Sequence, residues 1–335
     1  MNNQDTQDIE KEERRLRRRA AVSLQIDLPE GDGVRELFSR ENGLFCVSSS
    51  SIMRLRSPDD LDPQFEHDAP WEQSLYLPHG ASDPLVARTI LQTRHLLEPF
   101  FTLGSGKCKE LTDVSWEIMN SLVSLRVVKE RLETQVHEIV EEVSSFLPKY
   151  TQGESPKPLP IVKYYDIEFR SFVNEVRRAL SKISDLFAIL TPKSFKDGHF
   201  HRALEWSRRE RGPDALLTKM LDGDQRWIKT WIAIRVAIEH PETDKYVETL
   251  NFSLEADRQV RLPTWRFVHP DFDMARPQNL LDVFSTCIDN LLKFYEDLQV
   301  VLLDGHMPTQ VKINLDVVSE DDRNPDCPMR YNIGH

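Results

Sequence analysis

Trp227-Ile228-Lys229-Thr230-Trp231-Ile232-Ala233-Ile234-Arg235-Val236-Ala237-Ile238-Glu239-His240-Pro241 reads as an apolar helix closed by an arginine, a histidine and a proline. At roughly 100° per residue, Trp231, Ile234 and Ile238 fall within about 40° of Trp227, which gives one stripe of a buried helix. Arg235 lies on the flank of that stripe. The residue before a proline is pushed out of the helical region. His240 therefore belongs at or past the helix end, where its ring can turn back towards the Arg235 side.

Outward from this stretch, the C-terminal half reads as four helices. Ile167 to Leu190 places Phe169, Phe172, Val173, Val176, Leu180, Ile183, Phe187 and Leu190 on one face, and Pro192 stops it. A second helix covers about Phe200 to Glu210. A third segment starts after Pro213, breaks at Asp222-Gly223 and resumes as the helix quoted above. The fourth carries Leu281, Phe284, Ile288, Leu291, Tyr295, Leu298 and Leu302 at spacings of three and four, with Gly305 as its stop. Between the third and fourth, residues 246–268 alternate as two strands joined at Glu255-Ala256-Asp257. The tail from Val311 to Val317 alternates like a strand.

The N-terminal half is more mixed. Residues 1–21 form a charged arm with Arg14, Arg15, Arg17, Arg18 and Arg19 close together; it is either a contact for phosphate or an acidic partner, or a solvated helix offset by Glu10, Glu12 and Glu13. Residues 22–65 carry strand-like runs, with a hairpin at 43–47 and 51–55. The Pro- and Asp-rich stretch 57–84 reads as a long ordered loop, and 85–100 as a helix. In 111–146, Val114, Ile118, Leu122, Leu125, Val128, Leu132, Val136, Ile139 and Val143 recur every three or four residues. That stripe marks a long helix that packs on another helix, in its own chain or across a homodimer or protein-partner interface. The Pro/Gly/Ser-rich stretch 148–160 reads as the linker. The expected division is thus an arm (1–21), an N-terminal α+β region (22–147), a linker, a helical domain (161–303) and a strand-containing tail (304–335).

Composition bounds the partners. Of 335 residues, 39% are apolar and 29% charged, so a packed core is expected. The formal charge of −12 argues against a nucleic-acid surface over the whole chain and leaves room for a local basic patch. No apolar run reaches the ~18–20 residues of a membrane span, and the N-terminus has no secretory h-region. Cys46, Cys108, Cys287 and Cys327 form no CxxC pair, which suits reduced thiols in a cytoplasm. No phosphate-binding P-loop, dinucleotide fingerprint or nucleophile elbow is present, and no cofactor or metal is expected.

The run Ile234-Arg235-Val236-Ala237-Ile238-Glu239-His240-Pro241 resembles the Arg-x4-His signature of the HEPN superfamily, and the helix order over roughly 165–303 is similar to that family's. One position departs: the residue after the arginine is usually polar, often asparagine, and here it is Val236. The resemblance implies a homodimeric, metal-independent endoribonuclease of a bacterial toxin–antitoxin or antiviral defence system, or an RNA-binding relative. Arg235 and His240 would be its catalytic pair. The chemistry suits the residue types. An imidazole with a pKa near ~6.5 can take the 2′-OH proton, and a guanidinium matches phosphate oxygens as charge develops on them.

A structural alternative accounts for the same residues. Arg235 and Glu239 stand at i,i+4 and can pair on the helix surface, and His240 can meet the helix's last carbonyls; the chain is then a non-catalytic interaction or assembly protein. Other candidates are His199 and His201 as an H-x-H metal pair, His269-Pro270-Asp271 at a strand end or pocket edge, and Arg202, Arg208, Arg209 and Arg211 as an RNA-backbone contact or a face neutralised by Glu205 and Glu210. The expected fold is mainly α: a four-helix HEPN-like bundle with a small β-hairpin insertion, preceded by an α+β region with a long helix.

Overall fold

A computed structural model describes residues 3–20, 25–40, 43–99, 103–146, 158–195, 198–254, 260–306 and 314–334. The chain forms two compact units, residues 1–99 with 312–335, and residues 100–311.

The expectation of a mainly α fold is corrected. Of the described residues, 56% are helical and 17% lie in strands. That strand share approaches the roughly 20–25% of an average soluble domain, so the chain is α+β. The excess comes from short strands that carry no clean alternation. Within 57–84, read as a loop, β4 (Glu72–Leu77) completes an antiparallel sheet with β1 (Val34–Arg40), β2 (Gly43–Ser48) and β3 (Ile52–Arg56), in the order β1-β2-β3-β4.

In the first unit the hairpin of β2 and β3 pairs Phe45 with Arg54 and Cys46 with Met53. Phe38, Phe45, Cys46, Val47, Ile52 and Leu55 are buried there. Three helical pieces follow the sheet without a break: α3 (Pro84–Val86), a π-turn (Ala87–Leu91) and α4 (Gln92–Leu97). The C-terminal tail joins this unit because β10 (Asn314–Val317) and β11 (Tyr331–Gly334) form a hairpin whose end is tied to α4. The Gln92 side-chain oxygen accepts from the backbone N–H groups of Arg330 (2.7 Å) and Tyr331 (2.9 Å). Residues 311–313 of the expected tail strand lie outside the described residues.

The charged arm is a docked helix, α1 (Asn3–Ala20). Arg18 holds it against the short helix α2 (Pro58–Leu61) and the turn after it. Its Nη1 donates to the carbonyls of Pro58 (3.2 Å) and Asp62 (2.9 Å); its Nη2 donates to the Asp62 carboxylate and the His67 carbonyl, both at 2.8 Å. The guanidinium also lies 4.9 Å over the Phe65 ring. Backbone N–H donation from His67 above all, then from Glu66, together with Arg18, lowers the Asp62 carboxyl to about 2. A depressed folded pKa stabilises above the unfolded value of ~3.9 and is lost as pH falls through the folded one. Docking of α1 should therefore weaken between about pH 4 and pH 2. Hydrogen exchange in α1 checks this, with Arg18→Ala raising exchange roughly tenfold at pH 5. Exchange in α1 that is indifferent to Arg18→Ala would overturn the assignment.

In the second unit, α5 (Ser105–Phe146) packs along α6 (Tyr165–Leu190) and α9 (Leu280–Asp304). The stripe of Leu111, Ile118, Leu122, Leu125, Leu132 and Val143 is buried in its own chain. The compact division consequently falls elsewhere than at 148–160, since the long helix belongs with the helices that follow it; residues 148–157 of that expected linker lie outside the described residues. α7 (Phe200–Glu210) packs on α8 (Leu216–Glu239), which also meets α6 and α9. α8 runs without interruption through Gly223, where a Cβ would meet nothing within 4 Å. A helical glycine costs only about 1 kcal/mol against alanine, less than the burial of Leu221 and Ile228 on either side returns. Between α8 and α9, β5 (Tyr246–Leu250), β8 (Thr264–Val268) and β9 (Gln278–Asn279) form a three-stranded sheet; β6 (Ser253–Leu254) and β7 (Val260–Arg261) extend the hairpin. The expected joint at 255–257 lies outside the described residues.

Candidate functional site

The face of α8 decides where Arg235 points. Leu217, Leu221, Ile228, Trp231, Ile234 and Ala237 are buried, which leaves Arg235 on the flank. There it lines a pocket of about 250 Å³ with Trp231, Ile232 and Val236 of α8, Val176, Arg177 and Leu180 of α6, and His199 at the start of α7. Two arginines and one histidine thus line one cavity along with apolar side chains.

Arg235 is half-spoken for. Its Nη2 donates to Glu239 Oε1 at 2.7 Å, the i,i+4 pair that helix spacing allows. Its Nε–H is buried and makes no hydrogen bond. A buried guanidinium donor left without an acceptor costs more than an ordinary missing hydrogen bond.

His240 is placed differently. It caps α8 with φ −135° and ψ 69°, its backbone N–H donating to the Val236 carbonyl at 2.8 Å. The exit forced by Pro241 is therefore present, yet the side chain is exposed and does not line the Arg235 pocket. The structure brings Arg235 together with His199, and His240 is not part of that cavity.

His199 and His201 sit with ring centroids 5.4 Å apart and nearly perpendicular. Among the described residues no group of three His, Cys, Asp or Glu is arranged to hold a metal ion. Burial first, then the neighbouring His199 and Arg202, and more weakly Lys229, hold the His201 imidazole below its ordinary range, against Glu205. The surroundings of the His pair are thus net positive. α7 begins at His199 with no side-chain cap, so its unsatisfied N–H groups and dipole add to that sign.

The arginines of α7 divide. Arg208 pairs with Asp222 (2.6 Å), Arg209 with Glu210 (3.0 Å), and Arg211 lies 5.5 Å over Trp206. Among the described residues Arg202 and Arg211 make no side-chain hydrogen bond or ion pair, so these two of the four remain for an outside anion. His269 closes a strand, its ring accepting from the Asp271 N–H at 3.1 Å.

Arg177 escapes sequence reasoning. It lies among the polar positions of α6, and only the packing of α6 on α8 brings it to Arg235. His199 carried a signal, the H-x-H spacing, which pointed to metal chemistry instead of to an arginine partner. No helix among the described residues is long and apolar enough to cross a membrane. Cys46 and Cys287 are buried and unpaired, and burial pushes both thiols up. Comparison with protein-family models, curated proteins and solved structures finds no match for the chain.

Proposed function

We propose that residues 100–311 bind RNA, seating a backbone phosphate in the Arg235 pocket, and that the pocket is a metal-independent endoribonuclease centre. The observation that carries the reading is the cavity that Arg235 lines together with Arg177 and His199. The planar fork of a guanidinium suits the oxygens of a phosphate. The overall charge of −12 confines such binding to a local site.

In this reading His199 takes the proton of the ribose 2′-OH, the 2′-oxygen attacks phosphorus, and the bond to the 5′-oxygen breaks. That oxygen leaves with a proton taken from water, giving a 2′,3′-cyclic phosphate. Arg235 holds the charge that gathers on the non-bridging oxygens. His240, in the Arg-x4-His run that resembles the HEPN signature, is the competing base. The same resemblance adds a homodimer, and the exposed Val236 and Ile232 at the pocket edge give a second copy an apolar rim to cover; sedimentation of the intact chain tests it.

The test is RNA binding and cleavage in EDTA. Arg235→Ala should weaken binding about tenfold or more, as loss of a charged hydrogen bond does, and lower the salt slope by about 1. His199→Ala should abolish cleavage with binding retained, and His240→Ala should leave both near wild type. Equal behaviour of all three variants and wild type sinks the proposal; loss of cleavage in His240→Ala alone moves the base to His240.

A further inference from the structure

Trp231 also borders a second, larger pocket of about 500 Å³ on the next face of α8, well within the ~300–1,000 Å³ of small-molecule sites. α8 lends it Arg226, Trp227 and Thr230; α9 lends Asp282 and Asn290; Gln278 closes one side from β9. We infer that this pocket receives a purine base, stacked on the Trp227 indole and read at its edge by the Gln278 and Asn290 amides. The inference deepens the RNA reading and rests on it for the natural ligand, a single-stranded purine nucleotide whose phosphates continue towards the arginines.

Three observations support a base over other occupants. The indole is fixed: Trp227 Nε1–H donates to Asp224 Oδ1 at 2.6 Å, and the ring meets Phe294 edge to face at 5.8 Å. A rigid aromatic platform stacks any planar heterocycle. The polar wall is open: among the described residues, the side chains of Arg226, Gln278, Asp282 and Asn290 make no hydrogen bond or ion pair, and Arg226 and Asp282 are exposed. A purely apolar ligand would take water from these groups and return no hydrogen bond. The kinds of group are also specific. An amide offers one donor and one acceptor, which match the N7 acceptor and N6 amino group of adenine, and Arg226 supplies a cation for the phosphate attached to the same nucleoside.

The experiment uses adenosine, AMP and uridine at millimolar concentration against the full chain, with saturation-transfer NMR and equilibrium dialysis. Adenosine should bind wild type and Arg235→Ala equally, since it carries no phosphate. Trp227→Leu and Asn290→Leu should each weaken adenosine about tenfold or more, with circular dichroism confirming that Asn290→Leu is folded. Uridine should bind more weakly than adenosine. AMP should exceed adenosine in wild type and lose that advantage in Arg226→Ala.

Absence of adenosine binding, or binding unmoved by Trp227→Leu and Asn290→Leu, overturns the base pocket. If RNA binding still depends on Arg235 in that case, the phosphate reading stands without it. Adenosine that depends on Asn290 while RNA ignores Arg235→Ala leaves the base pocket standing and removes the phosphate reading.

Discussion

Phe284→Ala is expected to lower the stability of residues 100–311 by about 3–5 kcal/mol, the usual range for emptying a buried phenylalanine site. Phe284 is fully buried on α9 and lies face to face with Phe172 of α6, ring centroids 3.5 Å apart and planes 4° from parallel. Phe169 stacks on it at 6.1 Å, and Phe172 in turn meets Trp231 at 5.8 Å. Trp231 and Trp265 continue the series at 6.5 Å. Removing one ring therefore opens a cavity beside Phe172, the ring that meets the tryptophan bordering both pockets. Interiors are packed like organic crystals, so neighbours collapse into such a void only in part. Five of the six tryptophans, all but Trp71, lie in residues 100–311, so tryptophan fluorescence during urea unfolding reports on this unit. Phe284→Leu should cost less, roughly 1–1.5 kcal/mol, because it retains most of the volume. A loss under about 1 kcal/mol for Phe284→Ala would mean that the stacked rings do not carry the core.

The helices were legible where the apolar period was long. α6 and α9 each show more than five turns of three-and-four spacing; every residue of the expected α6 stripe is buried, and every one of the α9 stripe but Leu281, with flanking residues such as Leu186 and Phe294 buried as well. The stripe of α5 was legible too, but periodicity says only that a helix packs, not on what. Its partners, α6 and α9, come from folding over a long separation in sequence. Strands were harder. β4 alternates poorly because both its faces are partly exposed, with Leu75 and Tyr76 open to solvent. β9 has only two residues, too few for any period to register. The site divided in the same way. Arg235 could be singled out from chemistry and helix position, and the departure of His240 from the helix follows from Pro241. That Arg235 meets Arg177 and His199 depends on helix packing, which no local spacing encodes. The mainly α expectation failed for the same reason: short strands are stabilised by pairing with distant segments more than by their own pattern.

Gly80→Ala should destabilise the first unit by about 3 kcal/mol or more, the sum of overpacking and broken hydrogen bonds. A Cβ at this position would lie 2.3 Å from the Ser48 carbonyl oxygen, 2.4 Å from the Ser51 nitrogen and 2.7 Å from the Ser49 carbonyl carbon. All three are backbone atoms of the tight turn between β2 and β3, so no side-chain rotation relieves the clash. The turn cannot retreat easily, because Asp32 grips its other side. That carboxylate accepts from the Ser48 and Ser50 hydroxyls, each at 2.6 Å, and from the Ser49 N–H at 2.7 Å. The segment after Gly80 cannot retreat either without giving up its own bonds: Ala81 N–H to the Ser48 carbonyl at 2.8 Å and Ser82 N–H to the Ser49 carbonyl at 3.0 Å. A methyl group must therefore break one set of contacts. Hydrogen exchange at Ala81 and Ser82 should accelerate far more than at the rest of the sheet, and the melting transition of this unit should fall. Gly33→Ala is the matched control, since a Cβ there meets nothing within 4 Å and should be near neutral. If Gly80→Ala proves as mild as Gly33→Ala, the loop does not lie against the turn as closely as described, and the hold that Asp32 and Gly80 exert from opposite sides is not what fixes β2 to β3.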